Sequence, residues 1–276
     1  MPQSKLESSL AQAIALFNAG RWADAERLCA DLLGRDEAQP ALQQLMAVLQ
    51  LEQGRADAAR RHIDRSLALR PGHAPSLLIA ARAARAGGNL DDAMHFVEHA
   101  VRLAPDTADA ACLHGVLLME VGQAASACTR LQAFVERNPR HAEVWYELGR
   151  ALRLCGQSAA ARRAFERSVE LQPTLVPAWF ALSLACHDEA DPAAERAALE
   201  QVLQLQPTHP EGALNLGLVY QERGDLPAAM GCYARAYRQR PESFGRIANA
   251  LCSERSGRLW LDLEALKREL DSLGNL

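Results

Sequence analysis

Aromatic side chains are scarce, at 5% of 276 residues, whereas alanine occurs 52 times. That balance argues against a strand-rich fold, because β-structure draws on aromatic and β-branched residues and alanine is the best helix former. Lysine is almost missing, with Lys5 and Lys267 the only two among 30 basic residues, a bias from which no function follows. The seven cysteines (Cys29, Cys112, Cys128, Cys155, Cys186, Cys232, Cys252) are odd in number, and no two stand in a C-x-x-C spacing. A disulfide framework and a zinc ribbon are therefore not expected; small buried thiols in a reducing cytoplasm are. Long apolar runs are also lacking. The longest charge-free stretch, 171–187, contains Gln172, Pro173, Pro177 and His187, and falls short of the roughly 20 apolar residues of a membrane span. The first residues have a short apolar part broken by Gln12 and no small-residue cleavage site, so no signal peptide is expected. A net charge of −4 offers no basic excess for a polyphosphate backbone. What the chain does have is 49% apolar and 23% charged residues, enough for a sizeable core and unlike a disordered composition.

Prolines expose the organisation. Pro71, Pro105, Pro139, Pro173, Pro207 and Pro241 each lie 34 residues from the next. A fixed period of this length signals a repeat architecture. Extending the frame gives seven abutting units: 6–39, 40–73, 74–107, 108–141, 142–175, 176–209 and 210–243. Each unit reads as a helix, a tight turn at a glycine, a second helix, and a proline that cannot continue it, except that unit one has Glu37 in the proline slot. Ala190 replaces the glycine in unit six, so that turn is expected to close differently, with Asp188 or Asp191 as cap. The eighth slot is always small (Ala13, Ala47, Ala81, Gly115, Gly149, Ser183, Gly217), and the twentieth is alanine except for Glu195. Small residues on facing helices permit close approach, so shifted or looser packing is expected around Glu195.

These residues carry a resemblance. Trp145, Leu148, Gly149, Leu152, Ala161, Phe165 and Pro173 in unit five, with Leu216, Gly217, Tyr220, Ala229, Tyr233, Ala236 and Pro241 in unit seven, resemble the tetratricopeptide-repeat signature over 238 of 276 residues. The resemblance implies an all-α, right-handed superhelical solenoid of antiparallel helix pairs. After residue 243 the pattern decays. Phe244–Glu254 and Arg258–Leu273 read as a degenerate helix pair around a Ser256-Gly257 turn, which would cap the last open face over 244–276.

Chemistry-bearing motifs are few. Phosphate-binding loops, nucleophile elbows and H-E-x-x-H are all missing, and the 33 residues after the repeats are too short for the catalytic domains sometimes fused to this family. No enzyme activity, cofactor or metal is expected. His95 and His99, four apart on one helix, supply two ligands and fall short of a site. The doublets Arg60-Arg61 and Arg162-Arg163 read as solvated outer faces rather than nucleic-acid contacts.

The resemblance further implies that first helices line a concave side through the fifth, sixth, ninth and twelfth slots. Nineteen of those 28 residues are apolar. The candidate partner-binding residues are Leu10, Ile14, Leu45, Val48, Leu78, Arg82, Arg85, Leu113, Val116, Met119, Tyr146, Glu147, Arg150, Arg153, Phe180, Leu184 and His187. An apolar surface of that extent predicts a cover. Arginine forks grip carboxylates, so the pairs Arg82/Arg85 and Arg150/Arg153 predict a protein or peptide ligand with an apolar centre and acidic flanks; local pairing of Arg150 with Glu147 is the competing reading. The family's carboxylate-clamp slots hold Leu10, Ile14, Leu45, Pro75 and Ile79, which rules out that function. The expectation is a cytoplasmic, bacterial-type interaction scaffold or adaptor. The alternative is a self-associating assembly or co-chaperone factor that uses the apolar face or the C-terminal helix for oligomerisation.

Overall fold

The computed structural model describes residues 3–34, 39–253 and 262–273. Among these every regular element is a helix. The chain divides into two compact units, Met1–Pro139 and Arg140–Leu276. Unit 1 holds α1 (Gln3–Asn18), α2 (Trp22–Leu33), α3 (Pro40–Glu52), α4 (Ala56–Leu69), α5 (Ala74–Ala86), α6 (Leu90–Leu103), α7 (Ala108–Glu120) and α8 (Ala124–Arg137). Unit 2 holds α9 (Ala142–Leu154), α10 (Ser158–Leu171), α11 (Val176–Asp188), α12 (Pro192–Leu205), α13 (Pro210–Glu222) and α14 (Leu226–Gln239). A 3-10 turn (Pro241–Ser243), α15 (Phe244–Ser253) and α16 (Leu263–Leu273) follow. The expected Ser256-Gly257 turn and the start of the last expected helix lie outside the described residues.

Within each unit the helices form a stack of antiparallel pairs. Each first helix packs on its own second helix, and α1, α3, α5 and α9 also pack on the next first helix; the second helix packs on that next first helix too. At the end of unit 2, α16 lies against α14 and α15, with Leu266 and Leu270 buried in the same core as Tyr233, Ile247 and Leu251. Among the described residues, no helix is long and apolar enough to cross a membrane. All seven cysteines are free thiols.

The small slots show why the pairs close. The alanines at 13, 47 and 81 are fully buried, as are Ala25, Ala59 and Ala93 opposite them and Ala127 opposite Gly115. Where the eighth slot is glycine, a large side chain fills the missing volume: a Cβ on Gly115 would lie 2.7 Å from Leu131, on Gly149 2.5 Å from Phe165, and on Gly217 2.4 Å from Tyr233. Where it is alanine, the residue sixteen positions on is never aromatic and no larger than leucine: Cys29, Ile63 or Val97. Size is thus traded inside each helix pair, as an interior packed to crystal density requires.

Unit six departs from its sequence-based expectation. Its turn closes like the others: Ala190 adopts φ +55°, in the left-handed region that the glycines occupy at +71° to +79°. The Ala190 and Asp191 amides donate to His187 and Cys186 carbonyls at 2.9 Å, as the Gly54 and Arg55 amides do to Leu51 and Gln50. Asp191 then caps α12 by accepting from the Ala194 amide. The hydrogen bonds and cap hold alanine where glycine fits without strain. Ala190→Gly therefore relieves roughly 1–2 kcal/mol of left-handed strain against roughly 0.4–1 kcal/mol of unfolded-state entropy. A rise in the urea midpoint at unchanged slope is expected; a fall would contradict this account. Glu195 does not loosen the packing by exposure either. It is only 6% exposed, and its carboxylate meets His187 Nδ1 at 3.1 Å.

Candidate functional site

A half-open cavity of about 710 Å³ lies in unit 2. The i, i+3/i+4 spacing of a helix puts Tyr146, Arg150, Arg153 and Leu154 of α9 on one face. Phe180, Ala181, Leu184 and Asp188 of α11 do the same beside them, with Val176 and Pro177 at the helix start. Gln206 and His209, from the turn after α12, and the Phe165 ring complete the wall. The Tyr146 and Phe165 ring centres are 6.1 Å apart, and those of Phe180 and His209 5.0 Å. Leu154 is 64% exposed, an unusual position for a leucine. Burial raises the Tyr146 phenol above its usual range, so it stays neutral.

The arginines are not the free forks that the sequence suggests. Arg150 Nη1 donates to Glu147 at 2.7 Å, and its guanidinium carbon lies 5.7 Å from the Tyr146 ring centre, within cation–π reach. Arg153 Nε donates to Asp188 at 2.7 Å. In unit 1, Arg85 Nε donates to both Glu120 oxygens at 2.9 Å. Of the four arginines, Arg82 is the one with no hydrogen bond or ion pair to another described residue, and it is exposed. The physical reason is register: Arg85–Glu120 and Arg153–Asp188 are both 35 residues apart, which sets the end of one first helix beside the end of the next. One partner uses only one or two of a guanidinium's five N–H groups, so donors remain available on every arginine.

The other expected residues are distributed unevenly. Leu10, Leu45, Val48, Val116 and Met119 of unit 1 are half-buried, and Ile14 is exposed. Leu78 and Leu113 are taken into the core, each 7% exposed, because successive first helices pack against each other there. They leave little surface for a ligand. In unit 2 the cavity gathers Tyr146, Arg150, Arg153, Phe180 and Leu184; Glu147 stands behind Arg150, and exposed His187 points its Nδ1 to Glu195. Leu154, Val176, Pro177, Asp188, Gln206 and His209 had not been foreseen. Part of the signal was present: one helical step takes the fifth and sixth slots to the second (Pro177) and the ninth to the thirteenth (Leu154 and Asp188).

His209 has a second task. Its Nδ1 accepts the Gly212 amide at 2.9 Å and so caps α13. Burial lowers its pKa, and likewise that of His62 and His114. Each ring therefore titrates at lower pH folded than unfolded. Below about 6.5 the unfolded chain takes up protons first, so this stability is whole above that pH and is lost as pH falls toward the folded values. Glu195, raised by burial, acts in the opposite sense between its folded value and 4.5. Urea midpoints should fall measurably between about pH 7.5 and pH 6; a flat profile would remove the buried-imidazole argument.

Among the described residues no group of three or more His, Cys, Asp or Glu side chains is arranged to hold a metal ion. His95 is exposed and edge-on to Phe96, and His99 is half-buried.

Two family models, both described as "Tetratricopeptide repeat", match the chain. One matches residues 112–175, 155–210 and 187–244, and the other 50–116. No curated protein matches it. Among solved structures, the Cut9–Hcn1 hetero-tetramer of APC/C aligns with TM-score 0.69 and 19% identity, over 94% of this chain and 48% of that one. A tetratricopeptide repeat protein from Parabacteroides merdae aligns with TM-score 0.63 and 14% identity, over 98% of both chains. MamA aligns with TM-score 0.53 and 21% identity, over 59% of this chain and 95% of its own. At these identities the likeness is one of fold.

Proposed function

The chain belongs to the tetratricopeptide-repeat family, and from that premise we propose that it is a non-enzymatic interaction scaffold. It binds a segment of a partner protein on the first-helix faces, and it works in the cytoplasm. The observation that carries this reading is the cavity of unit 2, where exposed and half-buried apolar side chains stand beside guanidinium groups with unused donors. Apolar burial supplies the affinity and the arginines set orientation. The ligand chemistry is an apolar centre with acidic flanks. Arg82 supports the same preference in unit 1, since it is exposed and makes no hydrogen bond or ion pair to another described residue.

The test is affinity capture from native lysate with mass spectrometry, comparing the natural chain with an Arg82→Glu/Arg150→Glu variant. Reversing Arg82 repels an acidic flank; reversing Arg150 places two carboxylates side by side at the cavity wall and removes the cation over Tyr146. Specific partners should be lost by tenfold or more, with unchanged helix content by circular dichroism. Equal capture by both proteins contradicts the assignment. Light scattering of the pure protein checks whether the occupant is a second copy.

A further inference from the structure

We propose that the unit 2 cavity is an anchor socket read by His209: it takes a linear peptide in which a bulky apolar side chain is followed directly by an acidic residue. The inference rests on the peptide-binding reading above and names the feature that the site selects. Because His209 Nδ1 accepts the Gly212 amide, the neutral ring must carry its proton on Nε2. No described residue accepts from that Nε2–H, although His209 forms part of the cavity wall. The cap bond and the Phe180 ring, 5.0 Å away, fix the imidazole in place, so the donor is preorganised. Burial keeps the ring neutral near pH 7.

Polar capacity in the socket is lopsided. Arg150 gives one N–H to Glu147 and Arg153 gives one to Asp188, which leaves several donors on each guanidinium. With the His209 Nε2–H, donors outnumber the acceptors that remain, and the matching ligand group is an anionic oxygen pair. Phe180, Leu184 and the Tyr146 ring supply the apolar floor, and the volume of about 710 Å³ lies within the usual range for a binding cleft. An apolar side chain on that floor sets the carboxylate of the following residue at the donors.

The probe is a capped tetrapeptide with phenylalanine then glutamate between two glycines. It is titrated into the isotope-labelled full chain while the His209 ring signals are followed by NMR. Saturable shifts in the millimolar range are expected. A glutamine probe should bind several-fold more weakly, and a lysine probe should produce no saturable shift. His209→Asn retains a side-chain acceptor for the Gly212 amide but removes Nε2–H; affinity, read from the Phe180 ring signals, should fall roughly tenfold with an unchanged melting transition. Full affinity in His209→Asn, equal binding of the glutamate and lysine probes, or no shift by the glutamate probe would each overturn the proposal. The probe substitutions need no folding control. Loss of lysate partners in Arg82→Glu/Arg150→Glu, with any of these failures, leaves the scaffold reading standing and removes only the His209 socket.

Discussion

Gly149→Ala is expected to destabilise unit 2 by about 1–3 kcal/mol. The added methyl carbon would lie 2.5, 2.6 and 2.9 Å from three atoms of the Phe165 ring, which is fully buried and packed with Ala161, Val169 and Ala178. An aromatic ring has no flexible end to swing aside, so either the ring leaves its rotamer or α9 and α10 separate. The measurement is urea unfolding followed by circular dichroism, with a lowered midpoint. A second change should rescue the first. In Gly149→Ala/Phe165→Leu the smaller side chain opens room for the methyl, and the double variant should be more stable than additivity predicts. Simple additivity would sink the claim that these two positions share one volume.

Tyr233→Ala is expected to cost more, about 3–5 kcal/mol. The ring is fully buried beside Gly217, and its hydroxyl donates to Gln221 Oε1 at 2.7 Å. Gln221, itself buried, passes the link on by donating from Nε2 to the Ala250 carbonyl at 2.8 Å. A tyrosine of the last repeat thus fastens α15 through one intermediary. Tyr233→Phe isolates the polar part and should cost about 1–2 kcal/mol. In both variants amide exchange in α15 should accelerate more than in α9. If α15 keeps its protection while the midpoint drops, the Tyr233–Gln221–Ala250 chain does not hold that helix.

The helices were legible because their punctuation is local. A proline every 34 residues and small residues at fixed slots fix where helices stop and which faces meet. The Ala190 turn was misread because sequence shows the strain of a left-handed alanine but not the hydrogen bonds that outweigh it. The site was legible in part. Tyr146, Arg150, Arg153, Phe180 and Leu184 follow from helical spacing and meet in one cavity. The partners Glu120 and Asp188 did not follow, because they lie on the next first helix and a within-helix reading finds only Glu147. His209 has no neighbouring ligand or catalytic residue in the sequence to mark it. Its role depends on the Gly212 amide and the Phe180 ring, one of which is backbone and the other 29 residues away.

The volume trade between Gly149 and Phe165, Gly217 and Tyr233, or Ala81 and Val97 bears on how such an array can grow. A crossover in the middle of a unit would graft the front half of one onto the rear half of another. It would set alanine against phenylalanine, or glycine against cysteine, and leave a collision or a hole. Only breakpoints near the recurring prolines transfer both halves of a matched set, so inheritable duplication and shuffling in this lineage must copy whole hairpins.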